Sequence, residues 1–333
     1  MKETCGYVRD CPRQYSLEDV NRSAAQWNPA DETATVMLRK RKQRAAATCK
    51  HMLHRGTASG TSVRGLAGLR ADQGLQESGG WCLDVSRRAH DKYSVAALAH
   101  SSYFLPKPFL AADSAIVALL STLLRRCDDL LCSSWRSYSL SDFGAGIGSY
   151  GRSLLDVDKR YRWAGYDAAG NIEDASNGFV RFFDFTIPLS LPRTDWVMSI
   201  EVGEHVPPSH EWMVVRNLHA HNCRGIILSW AYLGKTGVGH VNNHSPSYLE
   251  ELFAALGYRV NVVATEQLRS QRTARSFAEA FRGRKIEGAS GNAQLSRWRD
   301  KALRARNVSQ RWWWIRPTVF ERIVPVTGPG CSA

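Results

Sequence analysis

The sequence lacks the features that mark membrane and secreted proteins. No window approaches the roughly 18 uninterrupted apolar residues that a transmembrane helix needs. The start, MKETCGYVRDCPRQYSLEDV, contains no apolar stretch of the kind found in signal peptides. We therefore expect an intracellular, cytoplasmic protein without a membrane partner. The basic run RKRKQR, Arg39 to Arg44, leaves nuclear import or nucleic-acid binding open beside a plain solvated charge run.

Cysteine is also sparse and unpatterned. The chain has 8 cysteines in 333 residues and no C-x-x-C pair. This usage predicts reduced thiols and no zinc framework. The one H-x-H-x-C run, His219, His221 and Cys223, matches no standard zinc spacing, so we predict no metal site.

Positive charge is abundant, but it is unevenly placed. The formal net charge is +13, yet residues 135–265 carry a net −2, whereas residues 1–134 carry +6 and residues 266–333 carry +9. The basic tail also interleaves arginine with Trp298 and Trp312 to Trp314. These side chains could stack on bases and hold phosphates, or could simply belong to a half-buried terminal hairpin.

The apolar pattern divides the chain into an extension and a domain. Residues 1–90 show only fragments of helical or strand periodicity, so we predict a basic, largely disordered extension. Residues 91–325 are assigned to one domain, with a cofactor-binding half over about 112–230 and an insertion over about 265–310. Residues 326–333 form a tail. Apolar residues at helical spacing predict an amphipathic helix from Ala112 to Cys132.

Seven short apolar runs follow that helix. They are YSLSDF, YRWAGYD, FVRFFDF, DWVMSIE, GIILSW, YRVNVV and TVFERIV. Helical stretches separate most of them, which predicts an α/β fold with a parallel or mostly parallel sheet covered on both faces. The helix before YRVNVV has Ser245 as its cap, Pro246 at its first position and Gly257 just past its end.

A glycine-rich turn, DFGAGIGSYG, follows the first of these runs. Gly144, Gly146 and Gly148 let the backbone pass close to a ligand, and a helix starting near Ser149 would point free N–H groups at it. This turn alone fits NAD, FAD and S-adenosylmethionine equally. Asp142, just before the glycines, suits a ligand with an ammonium group, and Asp167 is placed to accept the ribose hydroxyls.

These segments together resemble the class I (Rossmann-like) S-adenosylmethionine-dependent methyltransferases, over about Ala112 to Val324. The resemblance rests on DFGAGIGSYG, AGYD, FFDFT, the segment DWVMSIEVGEHVP, and GHVNNHSPSYLEELFAALGY. The segment IEVGEHVP is similar to the E-V-x-E-H-[IV]-P motif of small-molecule members and of some tRNA wobble-base methyltransferases. The resemblance implies a doubly wound seven-stranded sheet with an antiparallel last strand and S-adenosyl-L-methionine as cofactor.

The resemblance also implies which residues contact the cofactor. Asp184 would accept the adenine amine while Phe183 or Phe185 covers the ring. The full set of positions is Asp142, Gly144, Gly146, Gly148, Asp167, Ala168, Asp184, Phe185 and Glu201. One departure is that only eleven residues separate Asp167 from Phe179, so the helix that covers adenine on this side must be very short.

Catalytic candidates lie after the fourth and fifth runs. His205, with Glu204 beside it, and His240 are placed at the sheet edge where ligands bind, and either histidine could act as a base or merely fix its loop. We predict methyl transfer to O, N or C of a small-molecule acceptor. An RNA-directed methyltransferase, a non-catalytic scaffold and a nicotinamide oxidoreductase remain alternatives. Two motifs of DNA-base methyltransferases, [DNS]-P-P-[YFW] and a catalytic Pro-Cys, are missing.

Overall fold

The computed structural model describes residues 10, 13–58, 80, 82, 112–127, 134–235, 239–268 and 317–332. Its helices are α1 (Leu17–Ala25), α2 (Glu32–Ala58), α3 (Ser114–Leu123), α4 (Ser149–Val157), α5 (Ile172–Ser176), α6 (Glu211–Ala220) and α7 (Pro246–Ala255). Its strands are β1 (Arg125–Cys127), β2 (Trp135–Ser137), β3 (Ser139–Phe143), β4 (Arg162–Asp167), β5 (Val180–Phe182), β6 (Thr194–Ile200), β7 (Asn222–Ser229), β8 (Tyr258–Val260) and β9 (Thr318–Arg322). Residues 262–268 add a short helix.

The seven predicted strands form one sheet, which confirms the α/β fold. Its order is β5-β4-β3-β6-β7-β9-β8. The first five strands are mutually parallel, and β9 runs antiparallel to both β7 and β8. All five residues of β3 are buried, as expected for a central strand covered on both faces. The two larger apolar clusters of the core lie around Phe143, Phe183 and Phe253 and around Leu140, Leu154 and Ile227, and a smaller third cluster lies around Ile172.

Local signals placed several helices correctly. Ser245 accepts a hydrogen bond from the Tyr248 N–H, Pro246 opens α7, and Gly257 has a positive φ just past its end. Helix α4 begins at Ser149, as the glycine turn predicted. The short helix predicted between Asp167 and Phe179 is α5, with five residues.

The helix predicted from Ala112 to Cys132 is too long. Asp113 caps α3 through the N–H groups of Ala115 and Ile116, but the helix ends at Leu123. Residues Arg125–Cys127 instead pair with Trp135–Ser137 in an antiparallel ribbon. The strand pairing between these two segments overrides the helical spacing, and Arg125 and Arg160 lie over the Trp135 ring.

Within residues 1–90, which the sequence predicts to be largely disordered, the structure describes two helices, α1 and α2. Val20 of α1 is fully buried in the main core, and Trp27 Nε1 donates to the Leu191 carbonyl at 3.0 Å. On α2, Lys42 pairs with Glu173 and Ala45 joins an apolar cluster around Ile172. Because these partners lie more than a hundred residues away, local periodicity could not reveal them. Most of the rest of 1–90 lies outside the described residues.

The prediction of reduced thiols is also wrong where the structure can test it. Cys49 pairs with Cys82, and Cys223 pairs with Cys331. Cys127 is disulfide-bonded as well. The Cys223–Cys331 bridge holds the tail, and Ser332 donates to Asp195 through its N–H and its hydroxyl. The spacing of these cysteines gave no sign of their pairing.

Two further predictions remain open. The 265–310 insertion beyond residue 268 and the tryptophans Trp298 and Trp312 to Trp314 lie outside the described residues. Within the described part, none of the helices is long and apolar enough to cross a membrane.

Candidate active site

The candidate site lies at the edge of the sheet where β3, β4, β6 and β7 end. The chain leaves β3 towards β4 on one side and leaves β6 towards β7 on the other, so the strand order reverses between β3 and β6. Ligands of open α/β sheets bind outside such a reversal, at the carboxyl ends of the strands. The predicted cofactor residues of β3, β4 and β6 all lie at this edge.

The turn after β3 requires glycine at two positions for different reasons. Gly144 has φ +89°, and a Cβ there would overlap with Val202 of the loop after β6. Gly148 has φ +85° and caps α4, and a Cβ there would overlap with the Phe179 ring. The turn therefore packs tightly against its neighbours and leaves the N-terminal end of α4 at the sheet edge.

The Asp167 carboxylate holds this turn to the end of β4. Its Oδ2 accepts the Gly146 N–H at 2.8 Å, and its Oδ1 accepts the Ala169 N–H at 2.9 Å. Burial raises the pKa of Asp167, while these backbone donors oppose the rise. Each carboxylate oxygen can accept about two hydrogen bonds, so the group can accept ligand hydroxyls in addition.

Asp142 is a buried carboxyl group with a weak partner. Its side chain is 2% exposed, and its Oδ2 is 3.4 Å from Nε1 of Trp163. Burial raises the pKa of Asp142 from its ordinary 3.8 to about 8, with a smaller contribution from nearby Asp167. The neighbouring Trp163 ring fills the space beside Gly151 and Gly165, where a Cβ would overlap with it.

The two residues predicted to bind adenine, Asp184 and Phe185, have different surroundings. Asp184 Oδ1 accepts from both the N–H and the hydroxyl of Thr186, and its Oδ2 lies 3.8 Å from Nε of Arg41 on α2. Phe185 is 1% exposed and packs against Phe143 and Phe183, so the structure encloses its ring in the core.

Part of the N-terminal extension closes over the segment after β4. Ala168 is buried, and a Cβ on Gly80 would overlap with its carbonyl. A Cβ on Gly170 would likewise overlap with the Ala45 carbonyl of α2. The short α5 is therefore supplemented by α2, which covers this side of the edge.

Glu201 ends β6 in a backbone conformation that is unusual for its residue type. Its φ is +55°, and its N–H approaches Oγ of Ser229 at 3.0 Å. The Ser229 hydroxyl donates back to Glu201 Oε1 at 2.9 Å, and Lys235 Nζ lies 3.7 Å from Oε2. Backbone strain of this kind is concentrated at functional sites.

The structure brings the three catalytic candidates together. Glu204, His205 and His240 each offer a ligand atom within 4.8 Å of the others. Glu204 is completely buried, and burial followed by the charge of Glu201 raises its pKa well above the ordinary value. Burial lowers the pKa of His205 to about 4 and that of His240 to about 4. Both imidazoles are therefore neutral at pH 7.

The residues of the H-x-H-x-C run lie elsewhere and are structural. His219 Nδ1 contacts the Tyr258 hydroxyl at 3.0 Å, and His221 Nδ1 contacts the Asn217 carbonyl at 2.7 Å. Cys223 is bonded to Cys331, so its sulfur is not a free thiolate. Burial lowers the pKa of both His219 and His221 to about 3.

Sequence reasoning missed three residues of the edge. Trp163 shares a face of β4 with Asp167, and the strand period of two could have revealed it. Lys235, on the loop after β7, has its pKa lowered by burial to about 8, although Glu201 and Glu204 oppose this. Lys235 belongs to no recognisable motif. Arg41 lies in the basic run RKRKQR, but the run indicated nuclear import, nucleic-acid binding or a solvated charge run and not a contact with Asp184.

Comparisons with known proteins give distant likenesses only. No protein-family model and no curated protein sequence matches the chain. Among solved structures, magnesium protoporphyrin IX methyltransferase from Synechocystis PCC 6803 with bound S-adenosylmethionine is similar at 16% identity and TM-score 0.35, over 52% of this chain and 79% of that chain. Phosphoethanolamine N-methyltransferase 2 of Haemonchus contortus, also in complex with S-adenosylmethionine, is similar at 13% identity and TM-score 0.37, over 73% of this chain and 61% of that chain.

A third similar structure is 1,6-didemethyltoxoflavin-N1-methyltransferase of Burkholderia thailandensis, solved with 1,6-didemethyltoxoflavin and S-adenosylhomocysteine. The identity is 18% and the TM-score 0.31, over 44% of this chain and 69% of that chain.

Proposed function

We propose that this chain is an S-adenosylmethionine-dependent methyltransferase acting on a small-molecule acceptor. The observation that carries the proposal is the pair of carboxylates, Asp142 and Asp167, on either side of the glycine turn at the strand-order reversal. S-adenosylmethionine combines an ammonium group with an adenosine ribose. NAD would instead present a pyrophosphate and no cation near Asp142, so this buried carboxyl group would stay without a charged partner.

Each cofactor residue has a role that its geometry supports. The ammonium group would replace the weak Trp163 contact at Asp142, and the ribose hydroxyls would bind the remaining acceptor positions of Asp167. Asp184 would accept the adenine amine beside Ala168, while Phe185 supports that segment from the core. Glu201 would contact the methionine end of the cofactor from β6.

The acceptor would lie on the other side of the reversal, next to Glu204, His205 and His240. Methyl transfer needs mainly a nucleophile held in line with the sulfonium and a site that excludes water. The mild negative charge of residues 135–265 favours a small molecule over a polyanion such as RNA.

The full-length protein with methyl-labelled S-adenosylmethionine and fractionated cell extract tests the activity. We expect label in a small-molecule fraction, and at least a tenfold loss of transfer in Asp167→Asn, since an amide cannot accept hydrogen bonds through both of its terminal atoms. Glu250→Gln, an exposed change on α7, is the matched control and should retain activity. Label in RNA alone would favour the RNA-directed alternative. Cofactor binding without transfer to any fraction would favour a non-catalytic scaffold.

A further inference from the structure

The cluster of Glu204, His205 and His240 combines a carboxylate with two imidazoles. Each of the three side chains offers one ligand atom, and these atoms all lie within 4.8 Å of one another. Among the residues that the structure describes, this is the one group of three or more His, Cys, Asp or Glu side chains that could hold a metal ion. With metal–ligand bonds of about 2.1 Å, ligand atoms on opposite sides of an ion are about 4.2 Å apart. Small side-chain rotations would therefore close the group around one ion.

Glu204 is poorly compensated for a buried carboxyl group. Its side chain is 0% exposed, and in the described part of the chain neither Oε1 nor Oε2 makes a hydrogen bond of good geometry, although the backbone N–H groups of Glu204 and Ala231 oppose the rise in its pKa that burial causes. Among the described residues, Glu204 is the only one with buried carboxyl oxygens that lack a hydrogen bond of good geometry. A buried carboxylate without a partner is strongly unfavourable, since its desolvation is not compensated. Nδ1 of His240, also buried, has no hydrogen bond either.

The protein holds these ligands rigidly despite their loop positions. Glu204 and His205 lie on a 3₁₀ turn, Gly203–His205, where a Cβ on Gly203 would overlap with the Trp230 ring. The N–H groups of Val241 and Asn242 donate to the Glu204 carbonyl at 2.8 and 3.1 Å. These bonds fasten the loop of His240 to the turn that carries the other two ligands.

The contact of His205 with its backbone partner suits metal binding. Its Nδ1 lies 3.2 Å from the carbonyl oxygen of Gly239, and a carbonyl can only accept. The Nδ1–H therefore donates, which leaves the lone pair on Nε2. Metal-binding histidines are typically oriented by this type of hydrogen bond from the second ring nitrogen.

We propose that Glu204, His205 and His240 bind a divalent cation. Two imidazoles with a carboxylate suit a borderline ion such as Zn²⁺, Mn²⁺, Co²⁺ or Fe²⁺. The ion adds positive charge beside Glu201 and Glu204, whose carboxyl groups also interact with Lys235. Three protein ligands leave open coordination positions on the ion.

The consequence for chemistry rests on the proposed function, whereas the ion site itself does not. An acceptor hydroxyl bound at an open position becomes more acidic and releases its proton to water. Its oxygen then forms a bond with the methyl carbon as the carbon–sulfur bond breaks, giving a methyl ether and S-adenosylhomocysteine. His205 and His240 would then act as ligands, and no histidine base would be needed.

Metal titration of the chelator-treated full-length protein tests the site. Mn²⁺ binding is followed by electron paramagnetic resonance and Co²⁺ binding by its visible absorption. We expect one ion per chain, with histidine nitrogen in the cobalt spectrum. Glu204→Gln and His240→Ala should each weaken binding at least tenfold. His210→Ala, on the neighbouring 3₁₀ turn outside the cluster, should bind like the wild type.

The outcomes separate this inference from the proposed function. Failure of the folded wild type to bind Mn²⁺, Co²⁺ or Zn²⁺ at millimolar concentration would overturn the site, even if S-adenosylmethionine binds. Wild-type metal affinity in both folded cluster variants would overturn it too. Should Glu204→Gln fail to fold, His240→Ala and His240→Gln decide the question. Metal binding without cofactor binding would support the site and contradict the proposed function.

Discussion

At the scale of single residues, the site is organised by carboxyl groups whose environments differ. Asp167 accepts two backbone N–H bonds, Asp142 has a long contact with Trp163, and Glu204 makes no hydrogen bond of good geometry among the described residues. The three groups should therefore respond differently to a bound cation. Asp142 is the one whose protonation can be used to follow cofactor binding.

Cofactor affinity should rise with pH because of Asp142. Its pKa of about 8 keeps it protonated near neutrality, and an incoming ammonium group favours the ionised form. Binding should then release close to one proton between pH 5.5 and 7, raising affinity up to about tenfold per pH unit. Calorimetry of S-adenosylhomocysteine binding in buffers of different ionisation enthalpy measures this proton. Asp142→Asn should bind more weakly and release none.

The same shift predicts how stability without cofactor depends on pH. The folded pKa is raised above the unfolded one, so the contribution of Asp142 is complete below about pH 4 and is lost as pH rises towards 8. The free energy of unfolding of the wild type should fall over that range more than that of Asp142→Asn. Identical pH profiles of the two proteins would contradict the assigned environment.

At the scale of elements, the turn between β3 and α4 could be predicted from the sequence. The contacts that surround this turn could be predicted only in part. The glycines, the start of α4 and the seven strands along the chain follow from local spacing and turn chemistry. The contact of Gly144 with Val202 joins segments 58 residues apart, and His205 and His240 meet through two loops. Such contacts depend on the sheet being assembled, so a linear pattern does not contain them.

Gly144→Ala should destabilise the turn through both strain and overlap. The positive φ costs about 1 kcal/mol or more, and the new Cβ would displace Val202. We expect a fall of about 2–4 kcal/mol in the free energy of unfolding, measured by urea denaturation. Gly178→Ala is the matched control, because its φ is +73° but nothing lies within 4 Å of the new Cβ. Equal losses in the two variants would show that the Val202 contact is unimportant.

Helix α2 was missed because its stability comes from docking onto the domain. Gly170→Ala should push α2 away, since the added Cβ overlaps with the Ala45 carbonyl. Overpacking of this kind costs about 1–3 kcal/mol. Hydrogen exchange of the amides in residues 32–50 should become faster than in the wild type, while β3 and β6 stay protected. Unchanged exchange in α2 would contradict its docking over the segment after β4.

At the scale of the whole molecule, disulfides and the tail connect distant parts of the sheet. The Cys223–Cys331 bridge closes a loop with a sequence separation of 108 residues and brings Ser332 to Asp195 beside the start of β6. A bridge across a long loop restricts the unfolded chain strongly. The cysteine pattern could not predict it, because pairing depends on which strand ends meet in the folded sheet.

Cys331→Ser should lower the free energy of unfolding by about 2–4 kcal/mol. Thermal unfolding without reductant measures this loss. Reducing agent should lower the stability of the wild type towards that of Cys331→Ser. It should change the stability of the variant less. A variant as stable as the oxidised wild type would contradict the bridge.

The central claim is that the edge between β3 and β6 binds S-adenosylmethionine. Calorimetric titration of the well-folded wild type with S-adenosylmethionine, S-adenosylhomocysteine and NAD tests it most directly. The account predicts saturable binding of the first two at one site per chain and no measurable binding of NAD under the same conditions. Binding of NAD, or of none of the three, would contradict it.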